Sequence, residues 1–169
     1  MADYRRYVVP LRPFTLAVRA RYVGRHGRDA ADGRLLPLVL GLRNQVHGYN
    51  VRNVLDVDCG AAPGCSPFEA LAGSRLLVGN MELRFPLRGL LSRRFEYGPL
   101  PIEGMVFADA GSLWTRDQRA GGWQRNFLRS VGGGVRINAA GMIVELAATR
   151  PFDRPSAGWT FTVNLGPGF

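Results

Sequence analysis

Apolar and polar side chains alternate with a period of two along much of the chain. In Phe14-Thr15-Leu16-Ala17-Val18-Arg19-Ala20-Arg21-Tyr22, the residues Phe14, Leu16, Val18, Ala20 and Tyr22 form an apolar set, and Thr15, Arg19 and Arg21 oppose it. Strand side chains point alternately to opposite faces, whereas a helix would mix the two sets. The period returns in Met81-Glu82-Leu83-Arg84-Phe85, in Val131 to Asn138, and in Met142 to Ala148, where Glu145 faces away from Val144 and Leu146. It closes the chain in Trp159-Thr160-Phe161-Thr162-Val163-Asn164-Leu165, with Trp159, Phe161, Val163 and Leu165 on one face.

This pattern predicts an all-β antiparallel meander of about seven strands. They fall near Tyr4 to Pro10, Phe14 to Gly24, Ser74 to Leu87, Pro101 to Trp114, Phe127 to Asn138, Met142 to Arg150 and Gly158 to Phe169. Gly, Pro and Asp cluster in the short turns, and no helix is required. The one long connection, Arg25 to Gly73, far exceeds the roughly 15 residues beyond which unstructured loops are uncommon. Its apolar and aromatic residues favour a packed position. Alternation alone leaves two readings open, since the charged face meets bulk water in a soluble sandwich and a polar lumen in a membrane barrel.

Composition narrows the classes. All 22 basic residues are arginine against 13 acidic ones, a formal charge of +9. The arginines are scattered, with pairs only at Arg5-Arg6 and Arg93-Arg94, so no phosphate-binding stripe forms and nucleic acid is not an expected partner. No segment approaches the roughly 20 apolar residues of a spanning helix. Met1 to Arg6 is not followed by the apolar core of a secretory signal. Cys59 and Cys65 flank a Gly/Pro-rich turn whose spacing fits a disulfide, with two separate thiols as the alternative. No neighbouring ligands complete a metal site. Gly132-Gly133-Gly134 lacks the Lys and the helix of a phosphate loop and reads as a thin strand where a neighbouring side chain packs close. Glu82 and Asp109 have no adjacent nucleophile, so neither enzymatic activity nor a cofactor is expected.

Four ordered elements carry a family resemblance. Val46-His47-Gly48-Tyr49 resembles a Val-Arg-Gly-Tyr/Phe loop motif; Gly79 to Leu87 resembles a strand with an inward Glu, here Glu82; Phe107-Ala108-Asp109-Ala110-Gly111 resembles a Phe-x-Asp-x-Gly strand; and Ser130 to Phe169 resembles three closing strands ending on an aromatic. Together they resemble the C-terminal barrel of the bacterial surface antigen superfamily, the BamA- and TamA-like outer-membrane assembly factors and two-partner secretion transporters.

The resemblance implies an outer-membrane barrel that inserts outer-membrane proteins or passes polypeptide across the membrane. Its partners would be outer-membrane lipids, unfolded client polypeptides and accessory assembly proteins. It also implies that the loop cation docks on the inner-wall residues Glu82, Phe107, Asp109 and Gly111, and that Trp159, Phe161, Val163, Leu165 and Phe169 form a C-terminal β-signal. This chain carries His47 where the family has Arg. Either His47, protonated by Glu82 and Asp109, serves as a pH-sensitive cation, or Arg43 or Arg52 supplies the charge, or the contact is lost. Seven strands do not close a barrel of this type. The chain is therefore expected to be the C-terminal part of one barrel domain of about sixteen strands, with the upstream strands, periplasmic modules and signal sequence lying before it. The alternatives are a soluble all-β binding module and a passive outer-membrane pore.

Overall fold

The computed structural model describes residues 1–27, 29–30, 32, 34–41, 45–49, 71–92, 101–116, 123–139, 142–154 and 158–166. Seven strands form one antiparallel sheet: β1 (Ala2–Leu11), β2 (Phe14–Gly24), β5 (Arg75–Pro86), β6 (Ile102–Arg116), β7 (Trp123–Ala139), β8 (Met142–Pro151) and β9 (Thr160–Gly166). They pair in that order, so each strand lies beside its neighbours in sequence apart from the excursion between β2 and β5. Six of the seven have at least ten residues, the length a tilted strand needs to cross a bilayer.

Two small additions depart from the expected meander. Within the long connection, β3 (Leu38–Val39) pairs with β4 (Ala72–Gly73), and a six-residue helix, α1 (Leu87–Ser92), follows β5 where no helix was anticipated. Leu87-Arg88-Gly89-Leu90-Leu91 breaks the two-residue period. Consecutive apolar residues there cannot all share one face of a strand, and a helix of under two turns results.

The two faces of the sheet differ in what meets them. On β5, Leu76, Val78, Asn80 and Glu82 are buried, while the intervening Leu77 and Met81 are exposed. The same parity holds across the ladder, because Glu82 lies opposite Phe107 and Met81 opposite Ala108. Val106, Val131, Leu146, Phe161, Val163 and Leu165 extend the exposed apolar face. In the described residues nothing covers this surface, an arrangement costly in water and suited to lipid.

The inner face receives the long connection. Leu40, Val46, Tyr49 and Leu71 pack on Leu76, Val78, Leu113 and Leu128 to form the main apolar cluster. Arg25 N–H donates to the Ser74 carbonyl at 3.0 Å and Ser74 N–H to that of Trp114 at 2.9 Å, tying both ends of the excursion to the sheet, while Leu40 N–H donates to the Leu71 carbonyl at 2.8 Å within it. Among the described residues β1 pairs only with β2, and β9 only with β8. All ten residues of β1 are exposed.

Candidate functional site

The site is built where the tip of the long connection meets the polar inner rows of four strands. Gly48 sets the local path. Its φ of +82° lies in the left-handed region that side-chain-bearing residues avoid, and a Cβ there would stand 3.0 Å from Thr149 Cγ2. The turn aims the preceding side chain, His47, into the wall.

His47 is almost wholly buried, at 6% exposure, and is held from both sides. Its backbone N–H donates to Asp109 Oδ2 at 3.0 Å, and its Nδ1 lies 2.6 Å from the same oxygen. Nε2 lies 3.1 Å from Glu145 Oε1. A carboxylate can only accept, so a ring facing one at each nitrogen donates from both and is an imidazolium. The loop group behaves accordingly. Burial disfavours its charge, but hydrogen bonds and the negative charges of Asp109 and Glu145 outweigh that penalty and push its pKa from 6.5 up to about 10. The ring also rests on Phe107, with centroids 4.1 Å apart.

Both carboxylates are set in place by other groups. Asn80 Nδ2 donates to Asp109 Oδ1 at 2.8 Å and to the Gln45 carbonyl at 2.8 Å, fastening the carboxylate and the loop with one amide. Glu145 accepts from Asn164 Nδ2 at 3.0 Å and from Arg136 Nη2 at 2.6 Å. Arg136 reaches onward to Glu82 Oε2 at 3.3 Å, which also accepts from Arg84 Nε at 2.8 Å. Three carboxylates and three cations thus form one buried network, and each charge has an opposite neighbour.

Further contacts fasten the loop tip. Tyr49 O–H donates to the Arg129 carbonyl at 3.0 Å and accepts from Asp153 N–H at 3.0 Å. Buried Arg154 donates through Nη1 to the Gly48 carbonyl at 3.0 Å. Gly111 and Gly132 leave room for close approach: a Cβ on Gly111 would lie 2.6 Å from Leu40 Cδ1, and one on Gly132 would lie 2.5 Å from Phe107 Cζ. The thin Gly132 therefore receives the ring on which His47 rests.

The sequence reading needs correction at one partner. Glu82 makes no hydrogen bond to His47; Glu145 occupies that position, and Glu82 is joined to it through Arg136. Glu145 was legible as an inward charge, but its adjacency to His47 was not. Arg136, Tyr49's partner Asp153, and Arg154 were likewise missed. Arg43 and Arg52, the cysteines Cys59 and Cys65, and the terminal Phe169 lie outside the described residues. Trp159, Phe161, Val163 and Leu165 are exposed on the outer face, with Phe161 the most exposed at 83%. Among the described residues no group of three His, Cys, Asp or Glu side chains could hold a metal ion. The assembly is suited to fixing a loop electrostatically against a wall.

A family model described as the Omp85 superfamily domain matches residues 9–169, from the last three residues of β1 to the end of the chain. The chain belongs to the Omp85 superfamily. Comparison with curated proteins returns no match. This Omp85 domain is accordingly part of a bacterial outer-membrane β-barrel family of polypeptide assembly and translocation factors.

Proposed function

We propose that this Omp85 chain forms the C-terminal wall of a barrel that inserts outer-membrane proteins or passes polypeptide across the outer membrane, with Val46 to Tyr49 as a latch on its lumenal side. The observation that carries this reading is the burial of His47 between Asp109 and Glu145. An imidazolium replaces the family's guanidinium and still engages two wall carboxylates, so the contact is retained in altered chemical form. A passive pore has no need of a loop fixed by so many charged contacts. Among the described residues both sheet edges lack a partner strand, which supports completion of the barrel by further strands, because an open edge in lipid leaves backbone groups without partners. The exposed Trp159, Phe161, Val163 and Leu165 suit the role of a C-terminal β-signal. The partners on this reading are outer-membrane lipids, unfolded client polypeptides and accessory assembly proteins.

The test is reconstitution of the protein purified from its native membrane into lipid vesicles, followed by addition of a urea-unfolded outer-membrane barrel protein. Folding is read from the heat-resistant compact band on a gel, and translocation from protease protection of a secreted polypeptide. Acceleration of either over empty vesicles, reduced by His47→Ala, is the expected result. Ion conductance with neither activity would assign a passive pore instead. Monodispersity in detergent-free buffer would favour a soluble binding module.

A further inference from the structure

The charged groups around His47 do not all depend on the loop to the same degree. Facing it are Asp109 from β6 and Glu145 from β8. Behind these stand Arg136 from β7 and Glu82 and Arg84 from β5, and Arg154, beyond β8, sits on the adjoining Gly48 carbonyl. Removing His47 from this set leaves Glu145 with Arg136 at 2.6 Å and Asn164 at 3.0 Å. Glu82 keeps both of its arginines. Asp109 loses the loop's amide and ring together and keeps the Asn80 amide at 2.8 Å.

We propose that Arg136 is a positioning residue of the latch: a cation built into the wall that keeps Glu145 and Glu82 paired and in place when the loop is absent, so that the loop's departure exposes an uncompensated charge mainly at Asp109. This inference rests on the latch reading. Arg136 acts in two directions. Its guanidinium spans β5 and β8 by donating from separate nitrogens to two carboxylates, a geometry its rigid fork fixes more firmly than an ammonium would. It also shares Glu145 with His47, and a nearby like charge weakens the hold of that carboxylate on the imidazolium. A wall without Arg136 should bind the loop over a wider pH range.

The experiment measures cleavage of the long loop by proteinase K in the vesicle-reconstituted protein from pH 6.5 to 10.5. Each rate is normalised to cleavage of a free peptide of the same sequence. Arg136→Gln is expected to move the pH of loop release up by about one unit, the lower end of what one charge at this range contributes. Arg136→Lys, which keeps the charge, serves as the second variant and should shift the midpoint less. Asp109→Asn should raise cleavage at pH 7 by at least about tenfold, as expected for a lost hydrogen bond to a charged group, and Glu145→Gln by clearly less. Heat-modifiable mobility reports whether each variant is folded.

An unchanged or lowered release pH in Arg136→Gln, with His47→Gln exposing the loop, would overturn the role of Arg136 alone. Equal effects of Asp109→Asn and Glu145→Gln would do the same. A His47→Gln variant with the wild-type cleavage profile would overturn the latch itself, and this inference with it.

Discussion

Raising pH should undo the docking of the long loop, and the size of the effect follows from one residue. His47 belongs to the loop, and docking moves its pKa from the free value of 6.5 to about 10. A group whose pKa is raised in the docked state contributes its full stabilisation below the free value and loses it as pH climbs through the docked value. Docking is therefore strongest below about pH 6.5 and weakens by up to tenfold per pH unit until about pH 10. Across that window the change corresponds to about 5 kcal/mol at 1.36 kcal/mol per unit. The assay is proteinase K cleavage of the loop, with rates normalised to a free peptide at each pH. His47→Gln should expose the loop at every pH and abolish the slope. His47→Arg should dock without a slope, since a guanidinium does not titrate in this range. Wild-type cleavage that stays flat between pH 7 and 9.5, or a His47→Gln variant with the same slope, would refute the argument.

Other perturbations separate the remaining parts of the structure. Gly48→Ala should cost docking about 1–2 kcal/mol, because alanine must adopt φ +82° while its Cβ presses on Thr149; loop cleavage at pH 6.5 checks this. Gly132→Val should press on the Ala148 carbonyl of the neighbouring strand as well as on the Phe107 ring under His47, and cost at least about 1–3 kcal/mol of overpacking, seen as a lower heat-modification temperature and a lower pH of loop release. Tyr49→Phe removes a donor to the Arg129 carbonyl and an acceptor for Asp153 N–H, and should weaken docking by about 1–3 kcal/mol in the same cleavage assay. Met81→Arg places a charge in the exposed apolar row and should impair folding into vesicles by up to about 2–4 kcal/mol, whereas a soluble sandwich would tolerate it.

The sequence by itself determined the strands and their faces. Alternation is local, so Glu82, Asp109 and Glu145 are assigned to one side as soon as Met81, Val106 and Leu146 are assigned to the other. The motifs around His47 and Asp109 marked which loop and which strand to compare. Tertiary structure decided which inward charge meets which. His47 and Glu145 are 98 positions apart, and their contact depends on where the loop crosses the inner face of the sheet. The four elements that converge there are positioned by inter-strand register: Glu82 opposite Phe107, Phe107 opposite Gly132, and Arg136 opposite Glu145. A side-chain period reports only the face, and each face repeats every two residues. Rows along a strand are therefore interchangeable in sequence until hydrogen-bonded pairing chooses among them, which is why the sequence pointed to Glu82 rather than Glu145 as the second partner of His47.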